Sequence, residues 1–193
     1  VAGSGWRVVE STEFLAAAGA SAPFNEFADP DGVGVVLFTS GTSAQPKAVE
    51  LTHNNLTSYV MGTVDFGAAA PDDAALVCVP PYHIAGVGAA LSNLYAGRKT
   101  VYLRHFDARE WIRLVAEEGI TTATVVPTML DRIVSELERE PIALPTLKHL
   151  AYGGSTVPLP LVPKPRDLFP GVVFVHSHGL TETTSANRLL PPE

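Results

Sequence analysis

The chain has 193 residues, of which 46% are hydrophobic and 17% are charged, and its formal net charge at pH 7 is −7. This acidic balance argues against a surface that binds nucleic acid or an anionic membrane. No apolar run is long enough to cross a bilayer. The single cysteine, Cys78, excludes an internal disulfide, and its place in the apolar run 74–79 predicts a buried thiol. These features suit a reducing, cytoplasmic compartment.

Regular elements are predicted from residue 33 onward, after a loop-rich stretch over residues 1–31. That stretch contains one short helical pattern near residues 12–18 and a turn at residues 29–32. Apolar runs predict strands near residues 33–38, 74–79, 99–103, 120–126, 147–152 and 172–176. Helical patterns lie near residues 53–65 and 84–95, between Asp107 and Gly119, and from Pro127 through Leu137.

The alternation of strands and helices predicts the fold class. Because the strands are almost continuously apolar, we expect an α/β fold with a mostly parallel sheet flanked by helices. Asp107 and Glu110 form the pattern of an N-cap with a capping box. Trp111 and Val115 then share one helix face, and Gly119 is placed to end the helix.

The loop after the first strand has the composition of an anion-binding site. Residues 38–47 contain four hydroxyl side chains, Gly41 and Lys47. Hydroxyls, exposed backbone N–H groups and one cation are what a polyphosphate requires. The spacing differs from that of the common Gly-Lys-Ser/Thr nucleotide loop. A solvated turn is the alternative interpretation.

A second polar segment follows the last predicted strand. Residues 172–176 lead into His178, Gly179, Thr181 and Glu182. Open α/β sheets bind ligands beyond the carboxyl ends of their strands, and Glu182 is suited to hold Mg²⁺ together with substrate phosphate oxygens. The alternative is a helix N-terminus capped by Thr181, with Glu182 complementing the dipole.

Together the two segments resemble the adenylate-forming enzymes, a superfamily of acyl- and aryl-CoA synthetases, luciferases and peptide-synthetase adenylation domains. Residues 39–48 match the family's phosphate loop, Thr-Ser-Gly-Thr-Thr-Gly-x-Pro-Lys-Gly, at most positions. Residues 178–182 match its Tyr-Gly-x-Thr-Glu motif in the same way. Between them, residues 80–86 resemble its Pro-x-x-His-x-x-Gly segment and residues 151–155 its Gly-Gly-Ala segment. Within the family the chain most resembles an acyl-CoA synthetase or fatty-acid–CoA ligase.

The resemblance implies a reaction in which ATP and a carboxylic acid give an acyl-adenylate and pyrophosphate, followed by acyl transfer to coenzyme A. Glu182 would bind Mg²⁺, Thr181 would contact the α-phosphate, and His83 would approach the reacting carboxylate as a positioning group. The family's ATP- and AMP-binding positions correspond here to Thr39, Ser40, Gly41, Thr42, Ser43, Lys47, Gly153, Gly154, Ser155, His178, Gly179 and Thr181.

The substrate class is only narrowed by the sequence. Amino-acid-activating relatives usually carry an aspartate near His83, and residues 82–86 contain none, which argues against an amino-acid substrate. Fatty acids are the leading expectation, with aryl acids, or a fatty acyl-AMP ligase, as alternatives. The alternative to a substrate-positioning role for His83 is a structural one, in which its side chain is satisfied by the local backbone of a proline-rich turn.

Several positions depart from the family pattern. Ser43, Ala44 and Ala48 replace the usual Thr, Gly and Gly, and His178 replaces a tyrosine that stacks on adenine. Imidazole offers less stacking area, which predicts weaker nucleotide binding. Four prolines between residues 158 and 165 leave room for no more than a short helical turn near residues 166–169.

The resemblance also predicts that residues 1–193 are an internal fragment of the large AMP-binding domain, with residues 1–31 as a lead-in and residues 32–193 as the α/β core. The small C-terminal domain, which supplies an essential lysine, would be absent, so the fragment alone is expected to be inactive. A non-catalytic nucleotide-binding relative is the alternative from another class. A hydrolase is disfavoured because no Gly-x-Ser-x-Gly motif is present. The sequence leaves open whether the protein forms a homodimer.

Overall fold

The computed structural model describes residues 16–17, 27–39, 46–154 and 168–190, and for His178 and residues 185–190 it describes the backbone only. Strands β1 (Val33–Thr39) and β2 (Lys47–Thr52) form an antiparallel hairpin. The elements that follow in chain order are α1 (His53–Thr63), β3 (Ala74–Val77), α2 (Ile84–Ala96), β4 (Lys99–Tyr102), α3 (Ala108–Glu117), β5 (Thr122–Val125), α4 (Pro127–Arg139), β6 (His149–Gly153), β7 (Val173–Leu180), a 3-10 turn (Thr181–Thr183) and β8 (Ser185–Leu190).

The main sheet is doubly wound. Among the described residues its strand order is β4-β3-β5-β6-β7-β8, and every pair is parallel except β7 with β8. The chain moves from β3 to β4 in one direction and then returns past β3 to β5. Because such crossovers are right-handed, α2 lies on one face of the sheet, and α3 and α4 lie on the other. The expected α/β fold with a mostly parallel sheet is confirmed.

Two apolar clusters cover the two faces. On one face, α3 and α4 bury Trp111, Val115, Ile133 and Leu137 against sheet residues such as Leu150. On the other face, Ile84, Val87 and Leu91 of α2 pack against a smaller cluster formed by Leu37, Leu51 and Leu56. Helix α2 also contacts β3 and β4, so it lies between the main sheet and the β1–β2 hairpin. The hairpin is thereby fixed to the sheet through α2.

The helix ends largely follow the sequence signals. The Asp107 carboxylate accepts a hydrogen bond from the backbone N–H of Glu110 at 3.0 Å, and Gly119 takes the left-handed conformation (φ 65°) just after α3. The other half of the expected capping box is not formed. The Glu110 carboxylate accepts hydrogen bonds from the guanidinium of Arg113, because this cation on the same helix face is a stronger donor than a neutral amide.

Some elements were missed or misplaced by sequence analysis. Strands β2 and β8 were not predicted, and β7 continues to Leu180, past the predicted end near residue 176. The expected helical stretch near residues 12–18 lies almost wholly outside the described residues, as do residues 155–167 with the proline-rich segment. Cys78 is buried, as predicted. No helix among the described residues is both long and apolar enough to span a membrane.

A hydrogen-bond network ties the amino ends of the parallel strands together. The buried Thr121 hydroxyl accepts from the backbone N–H of Ala74 at 3.1 Å, and the Thr121 carbonyl accepts from the backbone N–H groups of Lys148 and His149. Asp73 extends this network: its carboxylate accepts from the backbone N–H of Ala70 at 3.1 Å and lies 3.7 Å from the Lys148 ammonium. These bonds join β3, β5 and β6 at the edge opposite the polar motifs.

Asp73 should make the free energy of unfolding depend on pH in the acid range. The Ala70 hydrogen bond, with help from Lys148 and Arg98, lowers the pKa of Asp73 below its ordinary value of 3.8. The stabilisation is therefore present above pH 3.8 and is lost as the pH falls through the folded-state pKa. We expect the free energy of unfolding of Asp73→Asn, measured by urea denaturation at a series of pH values, to fall less steeply in acid than that of the parent protein. The neighbouring, exposed Asp72 is the matched control, and an acid limb that survives in Asp73→Asn but disappears in Asp72→Asn would contradict the assignment.

Trp111 should tolerate loss of its polar atom better than loss of its volume. The ring is 0% exposed, and its indole N–H is buried without a hydrogen-bond partner. Trp111→Ala leaves a cavity and should lower the free energy of unfolding by about 3–5 kcal/mol. Trp111→Phe also removes the unsatisfied donor, so we expect a loss of less than about 2 kcal/mol. Equal losses for the two variants in chemical denaturation would contradict the view that this position needs the buried volume and not the indole N–H.

Candidate functional site

The base of the predicted phosphate loop is the open end of the β1–β2 hairpin. Thr39 and Lys47 are cross-strand partners in its register, so they mark the two points where the loop leaves and re-enters the sheet. Thr39 is half-buried and Lys47 is exposed. Ser40, Gly41, Thr42 and Ser43 lie outside the described residues. The loop therefore joins two strands, with β2 interposed before α1.

Helix α1 does not offer its N-terminus to this loop. Its N-cap, Thr52, forms a complete capping box with Asn55: the Thr52 hydroxyl accepts from the Asn55 backbone N–H at 3.2 Å, and the Asn55 side chain accepts from the Thr52 backbone N–H at 3.0 Å. Two of the amino-terminal N–H donors are therefore already satisfied within the helix. Lys47 remains as the cation that the hairpin presents.

Thr181 and Glu182 lie at the tip of a second hairpin, formed by β7 and β8. Leu180 and Ser185 close the hairpin, and residues 181–183 form a 3-10 turn. Thr183 secures that turn, because its hydroxyl accepts from the Leu180 backbone N–H at 3.1 Å and donates to the Leu180 carbonyl at 3.0 Å. Glu182 is exposed and Thr181 is half-buried. His178 and Gly179 were expected beyond the strand end, but they lie within β7 because the antiparallel partner β8 extends it.

The two hairpins meet. Strand β2, which begins at Lys47, contacts the 3-10 turn that carries Thr181 and Glu182. The sequence separation between these segments is large, so this contact is a product of the fold. It brings the strand that begins at Lys47 against the turn that carries Glu182.

Gly153 and Gly154 end β6 beside this region. Gly153 is paired with Ser177 of β7, and a Cβ atom on Gly153 would lie only 2.0 Å from the Ser177 carbonyl oxygen. Gly154 has φ 85°, in the left-handed region that favours glycine. Both positions thus require glycine on backbone grounds, and they leave the end of β6 without side chains. Ser155 lies outside the described residues.

His83 lies at the carboxyl end of β3, where it is the N-cap residue of α2. Its backbone N–H donates to the Pro80 carbonyl at 3.0 Å, and its side chain makes no capping bond to α2. The imidazole is exposed and lies 5.0 Å from the Tyr82 ring, measured between centroids. Gly86 completes this motif by close approach, since a Cβ there would lie 2.3 Å from the Pro80 carbonyl oxygen. The local backbone fixes the turn and leaves the ring available.

An aromatic pair at the same sheet edge was not predicted from the sequence. Tyr152 and His176 are cross-strand partners in β6 and β7, and their rings stack with centroids 5.0 Å apart and an angle of 7° between planes. Both side chains are half-buried. Tyr152 lies within the 151–155 segment and His176 lies two residues before the 178–182 motif, and this position is the only sequence signal that pointed to them.

Cys78 has no place in this chemistry. Burial raises the pKa of its thiol to about 12, so the nucleophilic thiolate is not populated near neutral pH. The sulfur lies 3.3 Å from the Thr124 carbonyl oxygen, within the core. The residue packs as a small apolar side chain.

The fold and the placement of these motifs define a doubly wound α/β domain with polar residues gathered at the carboxyl edge of its sheet. The model of the AMP-binding enzyme family matches residues 4–193, and the chain belongs to this family.

Curated relatives include acid–thiol ligases. The chain is 34% identical to a 2-succinylbenzoate--CoA ligase of Bacillus pumilus over 88% of this chain and 34% of that protein. It is 35% identical to the fatty acid--[acyl-carrier-protein] ligase ScoC of Streptomyces coeruleorubidus over 84% of this chain and 32% of that protein. The chain thus spans about a third of the length of these relatives.

A solved structure agrees with the fold. The O-succinylbenzoate coenzyme A synthetase of Bacillus subtilis, in complex with ATP and magnesium ion, superimposes with a TM-score of 0.73 at 28% identity. The superposition covers 89% of this chain and 36% of that one.

Gly153→Ala tests the close approach of β6 and β7. The new methyl group would collide with the Ser177 backbone, so one strand must shift. We expect a drop of about 2 kcal/mol or more in the free energy of unfolding, as for other overpacked sites. Gly62→Ala is the matched control, because nothing lies within 4 Å of a Cβ at that α1 position. The control should be neutral or stabilising, and equal stability of the two variants in chemical denaturation would contradict the packing described.

Proposed function

We propose that the full-length protein containing this chain activates a carboxylic acid with ATP and Mg²⁺ and passes the acyl group to a thiol, with coenzyme A as the expected acceptor. The observation that carries the proposal is the contact between β2, which bears Lys47, and the turn that bears Thr181 and Glu182. The proposal is supported because this contact joins the strand that begins at Lys47 to the turn that carries the Thr181 hydroxyl and the Glu182 carboxylate. Doubly wound sheets bind ligands beyond the carboxyl ends of their strands.

The residues present suit a magnesium–nucleotide complex. Glu182 is an exposed carboxylate at a hairpin tip, and Mg²⁺ usually takes one or two carboxylates together with substrate phosphate oxygens. The bound ion would neutralise negative charge on the phosphates. The glycines at 153 and 154 leave backbone exposed where a flat base or a phosphate must approach closely.

In the first step, a carboxylate oxygen of the acid attacks the α-phosphorus of ATP, and the bond to pyrophosphate breaks. Negative charge then develops on the transferring phosphate, so positioned donors and cations supply much of the rate enhancement. Lys47 acts as a point charge toward the phosphates, and Thr181 donates a hydrogen bond to the α-phosphate. In the second step, the thiol replaces AMP on the acyl carbon.

His83 is proposed to orient the acid. It stands at the carboxyl end of β3, beside the point where the winding of the sheet reverses between β3 and β5. Its exposed ring is free to donate a hydrogen bond to the incoming carboxylate. Since no proton is consumed in acyl-adenylate formation from a carboxylate, this is a positioning role.

The acid itself is proposed as a fatty acid, with an aryl acid as the competing class. The two curated relatives divide on this point, because one is named for 2-succinylbenzoate and the other for a fatty acid. They also differ in the acceptor of the acyl group, because the first is named for coenzyme A and the second for an acyl-carrier protein. Cytoplasmic location is part of the proposal and is supported by the unpaired Cys78.

ATP–pyrophosphate exchange in the full-length protein, run with fatty, aryl and amino acids, tests the first step. We expect exchange with one class of acid and none with amino acids. Glu182→Gln removes the charge that would hold Mg²⁺ and should lower the exchange rate by about a hundredfold or more. Glu140→Gln is the control, because Glu140 is an exposed carboxylate at the far end of α4. Binding of Mg·ATP without exchange for any acid would refute the ligase proposal and leave a nucleotide-binding relative.

A further inference from the structure

Thr184 has a backbone conformation that its side chain disfavours. With φ 58° and ψ 47° it is in the left-handed region, and it is the only non-glycine residue there within the part of the chain that the structure describes. A branched Cβ makes this region costly, so the conformation persists only where surrounding structure imposes it.

The residue closes the tip of the β7–β8 hairpin. Its backbone N–H donates to the Thr181 carbonyl at 3.2 Å, and Ser185, the next residue, pairs with Leu180 across the hairpin. A left-handed residue completes a tight turn of this kind, and glycine is the usual choice because it adopts the conformation without strain. The chain places a threonine at this position.

Burial explains how the strained conformation is held. Thr184 is 8% exposed, whereas Glu182 and Thr183 beside it are exposed. A buried, branched side chain restricts the rotations of its own backbone, and glycine would leave them free. Strand β2 also contacts the 3-10 turn that precedes Thr184.

We propose that Thr184 is a positioning residue that fixes the hairpin tip, so that Thr181 and Glu182 are already oriented when Mg·ATP arrives. This inference rests on the proposed function. A freely rotating tip would need to be ordered at each binding event, and that ordering would weaken the affinity for the nucleotide. The carboxylic acid would be unaffected, because its proposed contact, His83, lies on a different element.

The test compares Thr184→Gly, Thr184→Val and a matched control, Gly119→Thr, in the full-length protein. Gly119 has φ 65° with open space around it, so threonine there introduces the same backbone strain at the opposite edge of the sheet. The readouts are the KM for Mg·ATP, the KM for the acid, the Tm, and hydrogen–deuterium exchange of the peptide covering residues 180–185.

Thr184→Gly should raise the KM for Mg·ATP about tenfold or more, speed exchange at the tip, and leave the acid KM and the Tm nearly unchanged. Thr184→Val keeps the branched shape and should stay close to the parent in both nucleotide KM and exchange. Gly119→Thr should lower the Tm without changing either KM.

An unchanged Mg·ATP KM in Thr184→Gly, or a rise in both KM values together with a fall in Tm, would overturn the positioning role while the ligase activity stands. Absence of adenylation in the parent protein would refute the proposed function. Faster exchange of the 180–185 peptide in Thr184→Gly would in that case still show that Thr184 fixes the hairpin tip, and unchanged exchange would refute that as well.

Discussion

Parallel pairing is the constraint on which the rest of the structure depends. Strands β4, β3, β5, β6 and β7 run the same way, so their carboxyl ends reach one edge of the sheet. Close backbone contact between Gly153 and Ser177 keeps β6 and β7 in register at that edge. The Thr121 network secures the opposite edge. Because of this polarity, motifs that are far apart in the sequence arrive at one place.

Helix α2 fixes the position of the β1–β2 hairpin relative to the main sheet. It contacts β3 and β4 and packs Ile84, Val87 and Leu91 against the cluster of the hairpin and α1. The position of Lys47 is thus set by a core contact, although its own side chain is exposed. The β7–β8 hairpin contacts α2 through β8 and contacts β2 through its 3-10 turn. The candidate site is therefore built between two hairpins whose spacing is fixed by one helix and one sheet.

Much of this could be predicted from the sequence, and the failures have physical causes. Helices α3 and α4 were located because Asp107, Gly119 and Pro127 are local signals. Strand β2 was missed because its partner, β1, determines it, and residues 47–52 have no marked apolar run. The Tyr152–His176 stack and the strain at Thr184 depend on register and on burial, which no local pattern reports. The motif residues were found by resemblance, whereas their meeting at one edge required the fold.

We propose that Lys47 and Glu182 bind the same nucleotide, and a crystal structure of the full-length protein with Mg²⁺ and a non-hydrolysable ATP analogue is the sharpest test. We expect the triphosphate to lie between the two hairpins, with the Lys47 ammonium near its oxygens and the Glu182 carboxylate at the metal ion. A nucleotide bound elsewhere, or bound here with Lys47 or Glu182 directed away from it, would refute this proposal.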